Sequence, residues 1–159
     1  MKSIFLFIAI ALSVVTNAQV TKVSLQASGL TCSMCSNSIN KALKTLDFVT
    51  SVDADIKTYT FEISFKPNTN VDFDKIRKKV ENAGFTVCGF VATIYFNNVP
   101  VKNNQAVTIG VNDFLFVNTK DQLLNGAKLV KVLDKGYVSS KEYKKNAYSI
   151  SLRTYHATI

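Results

Sequence analysis

The spacing of apolar residues between positions 20 and 95 constrains the fold more than any other feature of this sequence. Apolar and polar side chains alternate over residues 23–27, as in a half-buried strand, and then recur at helical spacing from Cys35 to Leu46. A hairpin of two alternating strands, a second helical stripe and a last strand follow. The order β-α-β-β-α-β predicts a ferredoxin-like α+β domain, with two helices covering one face of a sheet.

The second helix of this unit carries recognisable signals at both ends. Asp72 or Asp74 suits its start, because a short carboxylate can accept a hydrogen bond from the first turn. Gly84 suits its end, since glycine readily adopts the left-handed conformation that follows many helices. The basic residues within DKIRKKVEN are predicted to form its solvated face.

The pattern changes after residue 95. Residues 96–159 contain no cysteine and show little helical periodicity, apart from a short predicted helix over Thr119–Ala127. Short apolar runs separated by asparagine-rich turns predict strands near residues 107–109, 114–117, 129–133 and 148–152. We therefore predict two domains, 19–95 and 96–159, the second small and mostly β, in the form of a five-stranded barrel of the OB type.

Residues 1–18 have the features of an export signal. Lys2 precedes an almost wholly apolar run of 12 residues from Ile4 to Val15, and small residues precede a cut after Ala18. A membrane-spanning helix needs about 20 apolar residues, so this run is too short for an anchor. The prediction is a periplasmic or secreted protein with no stable membrane insertion once the signal is removed.

Composition excludes several classes of function. The formal net charge of +8 predicts attraction to anionic surfaces or acidic partners. The basic residues are scattered and accompany no recognition motif, so nucleic acid is not a predicted partner. No cluster of catalytic residue types occurs in the second half, and we predict that the protein is not an enzyme.

Cys32 and Cys35 lie where the first predicted strand turns into the first helix. Two intervening residues let both sulfurs face one ion, and thiolates are soft donors that suit Cu(I), Zn(II), Hg(II) or Cd(II). The helix N-terminus favours the thiolate form, which is the form that binds metal. A disulfide shuttle or a structural bridge uses the same spacing, although so short a bridge would stabilise the fold little.

Three stretches of the chain together resemble the heavy-metal-associated domain family, which includes copper chaperones, copper-ATPase modules and the periplasmic mercury-binding protein. The family motif G-M-T-C-x-x-C is matched by Gly29-Leu30-Thr31-Cys32-Ser33-Met34-Cys35. The second-strand pattern V-x-x-V-x-V-D-L is similar to residues 49–56, and the A-G-F at the end of the second helix is present at residues 83–85. The resemblance covers residues 20–95, about half the chain without its signal.

The resemblance implies that Cys32 and Cys35 bind the metal, while Thr31 supports the loop. It also implies that Leu30 packs beneath the loop in place of the usual methionine and that Phe85 shields it from water. An acidic residue often precedes the first cysteine in zinc-selective members. The threonine here favours Cu(I), with Hg(II) and Zn(II) as alternatives. A metal-transporting membrane protein or another metal carrier is the implied partner.

Other sulfur and imidazole groups receive a less specific interpretation. Alternation places Cys88 on the opposite face of its strand from Phe85, so we predict a buried bystander, with a third metal ligand as the alternative. Met34 is predicted to face solvent or a partner protein. The lone His156 is predicted to be a surface or hydrogen-bonded residue.

The leading hypothesis is therefore an exported protein that carries or sequesters a soft metal ion through Cys32 and Cys35. Cu(I) is the favoured ion. The first alternative is a thiol–disulfide redox protein that uses the same two cysteines in an oxidising compartment. The second is an interaction module whose metal loop is vestigial and whose β-rich half does the binding.

Overall fold

The computed structural model describes residues 18–146 and 154–159. The predicted export signal up to residue 17 and the predicted strand at 148–152 lie outside these residues. The elements are β1 (Ala18–Ser28), α1 (Ser33–Lys44), β2 (Val49–Asp55), β3 (Thr60–Phe65), α2 (Phe73–Asn82), β4 (Thr86–Val101), β5 (Ala106–Ile109), β6 (Asn112–Phe116), β7 (Gln122–Val132), α3 (Ser140–Asn146) and β8 (Thr154–Thr158). Within the described ranges, no helix combines the length and apolarity needed to cross a membrane.

The first six elements confirm the predicted β-α-β-β-α-β order. Their strands lie in the order β2-β3-β1-β4, all antiparallel to their neighbours. Buried residues of α1 and α2 pack on one side of this sheet, and apolar positions of β1 such as Val23 and Leu25 meet them there. Strand alternation leaves the polar positions between them on the opposite face of the sheet.

The second half continues the same sheet, whose full order is β2-β3-β1-β4-β7-β8-β6-β5. β4 runs through the predicted domain boundary at 95/96 and pairs with β7 from Val91 to Val101. β6 and β8 are parallel, and β5, at the far edge, returns towards β1. The structure thus does not confirm a separate OB-type barrel, because the strands after residue 96 extend the sheet of the first half.

The predicted helix over Thr119–Ala127 is wrong, since most of this segment belongs to β7. Two effects favour the strand. The edge of β4 offers backbone groups that β7 can satisfy, and Gly126, with φ of 74°, is unfavourable in a helix interior. α3 was not predicted. Its Glu142 carboxylate accepts a 2.5 Å bond from the Lys131 ammonium, which ties the short helix to β7.

One apolar cluster holds both halves together. The Phe73 ring of α2 lies 4.8 Å from that of Phe90 in β4 and 5.7 Å from that of Phe114 in β6, measured between ring centroids. Two polar contacts reinforce this packing. The Tyr137 hydroxyl donates to an Asp74 carboxylate oxygen at 2.7 Å, and the Asn112 amide donates to the Val71 carbonyl at 2.7 Å. The second half is therefore bound to the side of α2.

Candidate metal centre

The loop between β1 and α1 presents two cysteines at a helix start. Gly29, with φ of 89°, turns the chain out of β1, and the buried Leu30 anchors it to the core, as the resemblance implies. Cys32 is the N-cap of α1, has an extended backbone, and makes no capping bond with its side chain. Its sulfur is therefore available for other partners. The Cys32 side chain is exposed and Cys35 is partly buried.

The two sulfur atoms lie 3.0 Å apart and share a hydrogen bond, with both cysteines in the free thiol state. The backbone contributes to this approach, because the Cys35 amide donates to the Cys32 carbonyl at 3.1 Å. At a Zn–S distance of about 2.3 Å, two thiolates on a tetrahedral ion are roughly 3.8 Å apart. A modest rotation of the exposed Cys32 side chain would open the pair far enough to hold an ion.

The loop favours the thiolate form of Cys35. A hydrogen bond with the Cys32 side chain, followed by one with the backbone of Thr31, lowers the pKa of Cys35 from 9.0 to about 7. The first turn of α1 contains no acidic residue that would neutralise the positive end of the helix dipole. The thiolate form of Cys35, which binds soft cations, is therefore more populated near neutral pH than that of an ordinary cysteine.

Phe85 is placed beside the loop by the end of α2. The Gly84 amide donates to the Glu81 carbonyl at 2.9 Å, and the Phe85 amide donates to the Val80 carbonyl at 3.2 Å. Together these two bonds form a Schellman motif. Gly84 has a φ of 92°, as this motif requires. Phe85 then reaches Gly29, where an added Cβ would lie 3.9 Å from its ring. The ring thus covers one side of the loop.

Met34 projects away from the core. It is 78% exposed, as predicted, and is the most exposed large apolar side chain of the described residues. Its position between Cys32 and Cys35 places a flexible thioether at the rim of the site. Packing against the core therefore does not explain why an apolar residue occupies this position.

Cys88 does not join the other two cysteines. It is the extra residue of a β-bulge, because Val87 pairs with Ala27 while Gly89 pairs with Gln26. Its thiol donates to the Gln26 carbonyl at 3.5 Å, and partial burial raises its pKa. Over the described ranges, no three His, Cys, Asp or Glu side chains converge on a common point. Cys88 thus belongs to no such group, and it is half-buried where the sequence predicted a buried residue.

His156 is a structural residue. It is buried, its Nδ1 lies 2.8 Å from one carboxylate oxygen of Asp134, and its backbone amide donates to the other at 2.8 Å. This pairing joins β8 to the segment that follows β7. The satisfied arrangement is one of the two outcomes predicted for a lone histidine.

Sequence patterns did not identify Tyr59 as a neighbour of the site. Its carbonyl accepts a bond from the Ala27 amide at 3.0 Å, which brings the β2–β3 turn to the same end of the sheet as the loop. Its backbone has a φ of 51°, a conformation that is unusual for a bulky side chain. The signal in the sequence was the predicted turn near Lys57. In the structure the Lys57 amide donates to an Asp55 carboxylate oxygen at 2.8 Å within this turn.

Comparison with known proteins confirms the resemblance. The sequence model of the heavy-metal-associated domain matches residues 24–86. A protein of Arabidopsis thaliana described as probable copper-transporting ATPase HMA5 is 31% identical over 93 residues, which cover 58% of this chain. The matched region spans only 9% of the length of that plant protein.

Two solved structures illustrate the structural matches. The yeast copper transporter domain Ccc2a, solved in apo and Cu(I)-loaded states, is 34% identical, with 41% of this chain and 88% of that chain covered and a TM-score of 0.38. Oxidized MerP from Ralstonia metallidurans CH34 is 28% identical, with 44% and 96% covered and a TM-score of 0.38.

Proposed function

We propose that this protein binds one soft metal ion through Cys32 and Cys35 and carries or sequesters it, because residues 24–86 match the sequence model of the heavy-metal-associated domain. Cu(I) is the proposed ion, and Hg(II) and Zn(II) are its competitors. The proposal includes export to the periplasm or the cell exterior and no catalytic activity. It rests chiefly on one observation, two thiol sulfurs 3.0 Å apart at an exposed helix N-terminus.

The donor set favours an ion that accepts few ligands. The loop supplies two sulfurs, and Cys88 lies in a separate bulge of β4. Structural zinc sites usually have four protein ligands. Cu(I) is a soft ion that binds well to thiolates, and the two thiolates of this loop match its need for few ligands. Thr31, which precedes the first cysteine, contributes no carboxylate that a harder ion would prefer. The name of the plant relative, a probable copper transporter, agrees with this choice.

Transfer would proceed by ligand exchange at the exposed side of the loop. Cys32 is the more accessible thiol, so an incoming thiolate or thioether of a partner would replace it first, and Cys35 second. Each step keeps the ion bound to sulfur. The proposed partner is a metal-transporting membrane protein or another metal carrier, which would meet the exposed Met34 as it approaches.

A competition titration tests this function. Reduced, full-length protein is titrated anaerobically with Cu(I) in the presence of a chromogenic chelator, and wild type is compared with a Cys32→Ser/Cys35→Ser double variant. Cys88→Ser is the matched control, because it removes a thiol outside the loop. We expect one tightly held ion per chain in wild type and control. Equal affinity in the double variant would refute the proposal.

A redox role is the second candidate. Two features favour it, the pKa of about 7 at Cys35 and the closeness of the two sulfurs, since both also assist thiol–disulfide exchange. A reduction potential in the range of disulfide oxidoreductases, together with catalytic reduction of insulin, would favour this role. A potential well below that range, without turnover, would favour metal carriage.

A further inference from the structure

A cavity lies at the end of the molecule opposite the metal loop. It is open to solvent, has a volume of about 510 Å³ and is lined by the start of β1, the 68–71 loop before α2, the middle of β4 and the β5–β6 turn. β1 runs the 11 residues from this cavity to the loop, a distance of roughly 30 Å at the rise of a strand. Ligand sites of roughly 300–1,000 Å³ commonly lie where structural units meet.

The cavity is lined by uncharged residues, both polar and apolar. None of the described residues around it has a charged side chain, although 19% of the chain is charged. Five carboxamides line it, those of Gln19, Asn68, Asn70, Asn97 and Asn112. Each carboxamide offers donors and an acceptor together, which is the combination that hydroxyl groups require. Among the described residues around the cavity, no side chain offers an ionic ligand an opposite charge.

Several of these groups are already held in place. Asn112 is only 4% exposed, and its bond to the Val71 carbonyl fixes the orientation of its amide. The Thr69 hydroxyl donates to the Lys66 carbonyl at 2.7 Å, so its lone pairs remain available as acceptors. Gly110 starts the β5–β6 turn with a φ of 63°, and an added Cβ there would lie 3.7 Å from the Asn70 amide oxygen. Little ordering is therefore needed on binding.

Tyr95 adds an aromatic surface to the amides. It lines the cavity and is 54% exposed, so packing against the core does not account for its position. An aromatic ring with a hydroxyl combines an apolar face with a hydrogen-bonding edge. A sugar ring has the complementary character, with C–H groups on its faces and hydroxyls around its rim.

We propose that this cavity binds an uncharged carbohydrate, with the carboxamides bonding its hydroxyl groups and Tyr95 packing against a ring face. The site is separate from the metal loop and does not depend on the proposed metal function. Binding would attach the protein to a glycan while the loop at the other end remains accessible.

An NMR titration of reduced, metal-free, full-length protein tests the site. The probes are maltose, cellobiose, lactose and N,N′-diacetylchitobiose at millimolar concentrations. We expect at least one sugar to shift backbone amide signals of residues 68–70, 97 and 110, and to leave those of residues 31–35 in place. Tyr95→Ala and Asn97→Ala should each weaken this binding about tenfold.

Leu129→Ala is the control, because Leu129 is 64% exposed on β7 and does not line the cavity. It should bind the sugar as wild type does. No shift with any of the four sugars would overturn the proposal, as would shifts that persist unchanged in both cavity variants. Trialanine serves as a competing probe, and binding of this peptide in place of the sugars would also overturn it. Circular dichroism checks each variant, and Asn97→Ala carries the test if Tyr95→Ala does not fold.

Discussion

Phe114→Ala tests whether the two halves share one core. The Phe114 ring is fully buried in β6, and its centroid lies 5.7 Å from that of Phe73 in α2. Removing it withdraws about 150 Å² of apolar surface from the core, which at ~25 cal/mol per Å² corresponds to about 4 kcal/mol. Measured Phe→Ala changes in cores fall at about 3–5 kcal/mol, so the two estimates agree.

Urea unfolding of the variant is followed by far-ultraviolet circular dichroism and by tyrosine fluorescence, since the chain has no tryptophan. We expect one transition by both probes, shifted to lower urea with an unchanged slope. Leu129→Ala, at an exposed position, should change the free energy of unfolding by no more than about 0.5 kcal/mol. Two separate transitions, only one of them shifted by Phe114→Ala, would refute the shared core.

Four further predictions concern the loop and α2. Alkylation of Cys35 by iodoacetamide should rise with pH around a midpoint near 7, and Cys32→Ala should move this midpoint upward because it removes the side-chain hydrogen bond that is the largest cause of the lowered pKa. Since protons compete with metal for the thiolates, Cu(I) affinity should fall as the pH drops through 7, which chelator competition at several pH values would show. Gly84→Ala should cost about 1–2 kcal/mol in urea unfolding through backbone strain alone, because nothing lies within 4 Å of the added Cβ; an unchanged midpoint would contradict the left-handed conformation. Asp72→Ala should cost about 1 kcal/mol, since the Asp72 carboxylate accepts a 3.0 Å bond from the Lys75 amide at the start of α2; Asp47→Ala, in the α1–β2 connection, is the control.

Local patterns sufficed to predict the first half of the fold. Its strands and helices differ in apolar period. Asp72, one of the two candidates for the start of α2, caps the helix, and Gly84 follows its C-terminal end as predicted. The cysteine pair could be placed for the same reason, because a strand-to-helix junction puts both thiols at one helix start. What determines these features lies within a few residues along the chain.

The second half depended on contacts between distant residues. β7 forms because Gln122–Val132 pairs with β4, a partner about 30 residues earlier, and local periodicity does not record that partner. The bulge at Cys88 likewise appears only in the pairing of β4 with β1, so the alternation of residues along the sequence did not reveal it. The polar cavity around Asn112 was not predictable for the same reason, since its walls come from four separated segments.

X-ray absorption at the copper edge of the Cu(I)-loaded protein measures the central claim most directly. The account predicts a first coordination shell of sulfur alone, supplied by Cys32 and Cys35, that is unchanged in Cys88→Ser and lost in the Cys32→Ser/Cys35→Ser double variant. A shell dominated by nitrogen or oxygen, or a sulfur shell that survives in the double variant, would contradict it.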